Sequence, residues 1–134
     1  MGIHVSRADT RHRASINRLI REARIGSGIR GPVRDFWFVR RGNRMVACGG
    51  IEMHKNTVAV LTSLAVEKPF RGRGFGGALI LHRAKVGRDR GAKTLALCTP
   101  FWNINIFRRF GFETCKRAEL PNDVRTFWQF TARQ

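Results

Sequence analysis

Apolar residues first settle into a rhythm at Ala14, Ile16, Leu19, Ile20 and Ala23, inside the otherwise polar run "RASINRLIREARIG". Steps of three and four place them on one stripe, so the pattern predicts a helix with Gly26 as its stop. Ahead of it, residues 3–5 read as a short strand, and behind it "GSGIRGP" reads as a loop. From Asp35 onward β-branched and aromatic residues dominate, broken by turn residues at Gly42-Asn43 and Lys55-Asn56. That predicts three strands joined as an antiparallel meander. Next come a glycine-rich turn, "RGRGFGG", and a helical run, "ALILHRAKVGRDRG". "KTLALCT" has the apolar density of a buried strand, "NINIFRRFGF" that of a short helix ending at Gly111, and residues 125–131 suit a last strand.

The order helix, three antiparallel strands, helix, strand, helix, strand predicts an α/β (α+β) fold, a mixed and mostly antiparallel sheet flanked by helices. A chain of 134 residues without linker, repeat or low-complexity segment is expected to form a single domain over residues 1–134. The glycine turn sits at the only strand-to-helix step long enough for a parallel crossover, so its chemistry needs explaining.

Composition narrows the classes. No apolar run approaches the roughly 18 residues that a membrane span needs, and "MGIHVSRADTRHR" carries charge where a signal peptide needs an apolar stretch. A cytoplasmic protein with no membrane partner is expected. Cys48, Cys98 and Cys115 are odd in number and lack C-x-x-C spacing, so they read as reduced thiols. His4, His12, His54 and His82 show no ligand spacing, and neither H-E-x-x-H nor G-x-S-x-G occurs, so no metal site or serine nucleophile is expected. Against 9 acidic residues stand 26 basic ones, mostly arginine, for a formal net charge of +17. Such a balance implies an anionic partner, whether nucleic acid, a phosphorylated cofactor or an acidic metabolite. The arginines run from Arg7 to Arg133 without a basic helix, which fits a compositional bias equally well and does not favour nucleic acid.

Gly72-x-Gly74-x-x-Gly77 matches the dinucleotide fingerprint, but the context fails. That fold needs a ribose-binding acid about 20 residues later, where this chain has Leu97, Cys98 and Thr99. A lysine-bearing phosphate loop is also absent, since G-K-[ST] does not occur. There remains a turn whose backbone N–H groups, cleared of side-chain bulk by Gly72, Gly74, Gly76 and Gly77, can point at a pyrophosphate from a helix N-terminus, with Arg71 and Arg73 adding charge. A solvated glycine turn is the structural alternative.

"LAVEKPFRGRGFGGALI" followed by "NINIFRRFGF" resembles the GNAT superfamily of N-acetyltransferases, whose signature Arg/Gln-x-x-Gly-x-Gly/Ala is matched by Arg71-x-x-Gly74-x-Gly76. The resemblance spans roughly residues 35–116. It implies that acetyl-CoA is the co-substrate. It also implies that Leu64, Ala65 and Val66 bind the pantetheine arm through their backbone, and that the turn, Arg71 to Gly77 with Phe75 inside it, holds the pyrophosphate. Asn103 and Phe107 in the later segment would contact the cofactor. "LTSLAV" and "IFRRFGFETCKRAELP", ending in Leu120-Pro121, resemble the N-acetylglutamate-synthase-like branch.

Two positions depart from the family pattern. Many relatives supply a proton to the departing thiolate from a tyrosine at the position of Phe107, and this chain has no tyrosine. Val60 stands where the family often carries a strand glutamate, and the nearest replacements are Glu52 and His54, two apart on the neighbouring strand and so on one face. Glu52 is the candidate catalytic residue, the alternative being a hairpin-end pair that faces solvent. At neutral pH, deprotonating an α-amine of pKa about 8 costs about 1.4 kcal/mol, against about 4.6 kcal/mol for a lysine. A site without a clear base therefore suits the amine of a small amino acid or analogue, whose carboxylate the positive surface would attract. Acetylation of protein or aminoacyl-RNA amines, and an inactive CoA- or nucleic-acid-binding module, are the alternatives. Oligomeric state is open, a homodimer being one option. Phe36, Trp37, Phe38 and Trp128 read as packing residues and not as a base-stacking platform, and Cys98 as a small buried hydrophobe.

Overall fold

The computed structural model describes residues 2–55, 57–97 and 104–115. Within them run β1 (Ser6–Arg7), α1 (Arg13–Glu22), β2 (Phe36–Arg41), β3 (Arg44–His54), β4 (Val58–Val66), α2 (Phe75–Asp89), β5 (Thr94–Ala96) and α3 (Ile104–Arg108). The strands form one sheet in the order β1-β2-β3-β4-β5, antiparallel except for the β4–β5 pair. The meander follows the expected turns, and α2 is the crossover that makes β5 parallel to β4. The last expected strand, residues 125–131, lies outside the described residues, as do Cys98 and Trp128.

Each helix covers one face. The α1 stripe buries Ile16, Leu19 and Ile20 against Phe36, Phe38, Met45, Cys48 and Ala65. Each fully buried aliphatic side chain of that size is worth about 1.5–3 kcal/mol. On the opposite face α2 packs Phe75 and Leu79 against Trp37, Val39, Val46, Ile51, Ala59 and Leu61. Because β2 alternates, Phe36 and Phe38 serve one core while Trp37 and Val39 serve the other. Trp37 is flanked by the guanidiniums of Arg7 and Arg90, 5.6 and 5.8 Å from its ring. Gly87 lets α2 lie close to the sheet, since a Cβ there would sit 2.9 Å from that of Ala59.

Two boundaries differ from the sequence expectation. The first strand forms at Ser6–Arg7 instead of residues 3–5, because the backbone pairs where Phe38 and Trp37 offer partners. Ile3 and Val5 instead pack their side chains against the α2-side core. The first helix ends before Gly26, with Arg24 in the left-handed region at φ 60°. Arg24 N–H donates to Arg21 O at 3.0 Å and Ile25 N–H to Ile20 O at 3.3 Å, which closes the helix without glycine. α3 does close on the expected glycine, Gly111 at φ 91°, and α2 closes on Gly91 at φ 95°.

The end of β4 is clamped by charge. Glu67, 9% exposed, accepts from Arg44 Nε at 2.8 Å and from Arg18 Nη1 at 2.7 Å, while its N–H donates to Val46 O. Arg44, then desolvation opposing it, then Arg18 set the Glu67 carboxyl, and the net effect is a value below the usual carboxylate range. A carboxyl lowered by folding adds stability that is complete above its unfolded value near 4.3 and lost as pH falls through the folded value. Glu67→Gln should therefore cost about 2 kcal/mol at pH 7, with the deficit shrinking below pH about 4. Urea unfolding of both proteins at pH 7 and pH 3 measures it; an equal deficit at both would show that the clamp is not ionic.

Candidate active site

The two edges of β4 are treated differently. Against β3 the register runs Val58 to Thr62 opposite His54 to Gly50, and resumes with Ala65 opposite Cys48 and Val66 opposite Ala47. Between the two runs β3 offers Gly49 alone and β4 supplies Ser63 and Leu64, so β4 bulges. Ser63 takes φ 53°, a left-handed conformation that costs a non-glycine residue about 1–2 kcal/mol. Against β5 the pairing covers Val58, Val60 and the residue between them, and ends with Val60 opposite Ala96. Among the described residues no strand pairs with that side of Leu64, Ala65 and Val66. The described pairing stops there, next to the bulge.

Past β4 and a single 3-10 turn, Lys68–Phe70, the chain reaches the glycine turn. Gly72 and Gly74 have φ 78° and 89°, values that L side chains adopt only under strain. A Cβ on Gly72 would meet nothing within 4 Å, and one on Gly74 only Ile3 Cδ1 at 3.4 Å. Space is therefore open above the turn. Gly74 caps α2 without a side-chain hydrogen bond, and the first intrahelical bond is Ala78 N–H to Gly74 O at 3.0 Å. The N–H groups of Phe75, Gly76 and Gly77 thus have no acceptor within the helix and stand at its positive end.

The flanking cations are partly engaged. Arg71 Nε donates to Val66 O at 3.0 Å, tying the turn to the end of β4. The Arg73 guanidinium lies 5.4 Å from the Phe70 ring, and that of Arg41, at the β2–β3 hairpin tip, 5.9 Å from the Phe75 ring. The sequence reading missed Arg41, because only the register brings that hairpin to the start of α2. Phe75 is 4% exposed with its ring in the core, so it can offer a ligand only its backbone. Gly77 has a packing role, since a Cβ there would come 2.7 Å from Phe110 Cζ, in the turn that follows α3.

Glu52 is directly opposite Val60, and His54 opposite Val58, so both share the α1 face with the position where the family often has its glutamate. Both are half-buried, not fully solvent-facing as the alternative reading had them. Glu52 Oε1 is 3.8 Å from where a Cβ on Gly31 would be, beside the loop between α1 and β2. Asn17 Oδ1 accepts from Ile29 N–H at 2.7 Å and holds that loop to α1. Phe107 is buried, its ring edge-on to Phe112 at 6.0 Å. Asn103 lies outside the described residues.

The sequence reading also missed Arg83. It points from α2 into the sheet, 1% exposed, where Gly49 makes room: a Cβ there would sit 2.8 Å from its Cζ. Adjacent glycines inside a strand, facing an arginine on a buried helix stripe, were the available signal. Burial pushes the Arg83 guanidinium down to about 10, leaving it charged at neutral pH, and pushes the nearby Cys48 thiol up to about 12, leaving it neutral.

Residues 8–112 match the model of the acetyltransferase (GNAT) family. An uncharacterized N-acetyltransferase of Chlorobaculum tepidum is 25% identical over 92 residues, which cover 69% of this chain and 58% of that protein. The chain thus spans less than two thirds of that relative's length. Among solved structures, a Mycobacterium tuberculosis protein in complex with CoA superposes with a TM-score of 0.79 at 21% identity, covering 90% of this chain and 78% of the other. N-acetylglutamate synthase from Neisseria gonorrhoeae, complexed with coenzyme A and N-acetyl-glutamate, superposes with a TM-score of 0.81 at 19% identity, covering 93% of this chain and 31% of the synthase. With the uncapped glycine turn and the β4 bulge already in place, the family match decides the matter: this chain belongs to the acetyltransferase (GNAT) family.

Proposed function

We propose that this protein is an acetyl-CoA-dependent N-acetyltransferase whose acceptor is the primary amine of a small amino acid or analogue. The observation that carries the reading is the turn before α2: an uncapped helix N-terminus under open space, two left-handed glycines and flanking arginines. Those features fit a pyrophosphate, because the N–H groups of Phe75, Gly76 and Gly77 and the helix dipole favour an anion where no side chain intrudes. Arg71 and Arg73 add charge at the rim, and the backbone of Leu64, Ala65 and Val66 offers the strand edge along which a pantetheine arm can bond. When bound, acetyl-CoA supplies an activated acyl thioester.

The chain's residues have three tasks. The turn and the β4 edge fix the thioester's position, which converts part of the barrier into binding. Glu52, on the α1 face opposite Val60, orients the acceptor amine or takes its proton. Phe107 shapes the wall with its ring and, having no hydroxyl, leaves protonation of the departing thiolate to water or a neighbouring group. The acidic-metabolite preference follows from the net charge of +17. A carboxylate-bearing acceptor is attracted to such a surface, whereas a polyamine is repelled.

Gly74→Asp puts a carboxylate and a strained left-handed residue at the phosphate turn, and should weaken acetyl-CoA binding on the order of 100-fold by calorimetry. Unchanged affinity in a folded variant would remove the turn from the site. Thiol release from acetyl-CoA, screened over amino acids, peptides and aminoacyl-RNA, should be fastest with a small acidic amino acid and rise with pH toward about 8. Glu52→Gln should slow it about 100-fold; a peptide or RNA as the best acceptor would overturn the substrate class. Generic duplex binding at about 0.15 M salt should be no tighter than about 10⁻⁶ M, and submicromolar binding that acetyl-CoA does not displace would favour a nucleic-acid-binding module.

A further inference from the structure

The β2–β3 hairpin turns on Gly42 and Asn43 alone, with Gly42 at φ 61°. So tight a turn sets Arg41 directly opposite Arg44 in the register. Like charges facing each other across a strand pair are destabilising, so each needs a reason to be there. Arg44 has one, since its Nε donates to the Glu67 carboxylate at 2.8 Å. Arg41 is exposed, and among the described residues no carboxylate pairs with it. Its guanidinium instead lies 5.9 Å from the ring of Phe75, the first residue of α2. That ring meets Phe70 at 6.2 Å, and the Arg73 guanidinium lies 5.4 Å from the Phe70 ring. Two guanidiniums from distant parts of the chain thus rest against one aromatic pair at the start of α2. A ring face holds a guanidinium without using up its N–H groups, so both keep donors for an anion. Arg73 belongs to the glycine turn, whereas Arg41 comes from outside it.

We propose that Arg41 binds the 3′-phosphate of acetyl-CoA, so that the β2–β3 hairpin supplies a second phosphate subsite beside the pyrophosphate turn. The inference rests on the acetyltransferase reading above. Acetyl-CoA carries its phosphates in two places, a pyrophosphate and a separate monoester on the ribose. The unpaired N–H groups at the start of α2 suit the first, and Arg71 Nε is committed to Val66 O. The monoester needs a cation that is close to the helix start yet outside the turn. Arg41 meets both conditions, because the Phe75 ring that holds it and the Phe75 N–H at the helix start lie about 5 Å apart within one residue. A guanidinium fork also matches phosphate oxygens in pairs, which a lysine does not. Such a contact holds cofactor and transition state alike, so it tightens binding and leaves the acyl transfer itself unaltered.

Calorimetry with coenzyme A and with 3′-dephospho-coenzyme A tests this without an acceptor. The wild type should bind coenzyme A about 10-fold tighter or more, the worth of one charge-assisted contact. In Arg41→Gln that preference should fall to within about twofold of unity, with affinity for the dephospho form unchanged. Arg41→Lys keeps the charge without the fork and should fall between. Arg40→Gln removes the same charge from the neighbouring exposed position and should keep the full preference, which separates a contact from the general positive field. Retention of the preference in Arg41→Gln, or its equal loss in Arg40→Gln, would overturn the assignment. So would an equal loss of affinity for both ligands in Arg41→Gln, which would put Arg41 on the pyrophosphate. A wild type that binds both ligands equally well would overturn the 3′-phosphate subsite and leave the acetyltransferase reading intact. A wild type that binds neither would overturn both.

Discussion

Strand β4 must satisfy two neighbours that want different things, and the site follows from how it does so. Along β3 it needs a continuous antiparallel ladder, because both faces of that pair are buried under α1 and α2. Along β5 its described pairing is parallel and covers Val58 to Val60. One extra residue of β4 stands opposite Gly49. The bulge bends β4, and Ser63 absorbs the strain at φ 53°.

The same strand delivers the chain to the glycine turn, so the bulge and the anion site are joined by one short segment. Glu67 anchors the junction to α1 and to the β2–β3 hairpin through Arg18 and Arg44, and Arg71 ties the turn back to Val66 O. Buried and half-buried charges therefore act as fasteners at both ends of the site. The large positive charge has local uses of this kind before it has any global one, since Arg7 and Arg90 cover Trp37 and Arg18 and Arg44 hold Glu67.

Much of this was legible in the sequence. The meander could be read from turn residues and alternation, because register in a half-buried sheet is set by which face each residue serves. The turn could be read because glycine at Gly72 and Gly74 is a backbone requirement, visible without knowing the fold. Helix closure at Arg24 was not legible, since an arginine seldom takes the left-handed region and Gly26 offered the easier reading. Arg83 was hidden for a different reason. Its role depends on the Gly49-Gly50 pair lying across from one particular turn of α2, and on a bulge that no local propensity announces. Arg41 was hidden by distance along the chain, its ring partner Phe75 being brought near only by the sheet.

The central claim is that the strand edge past Val60 and the turn before α2 form one continuous acceptor and donor array for acetyl-CoA. Amide hydrogen exchange by NMR, with and without acetyl-CoA, tests it most directly. The account predicts that ligand slows exchange at Ser63 to Val66 and at Gly74 to Gly77 together, with little change in α1 or in the β2–β3 ladder. Protection confined to either segment alone, or lying elsewhere on the protein, would contradict it.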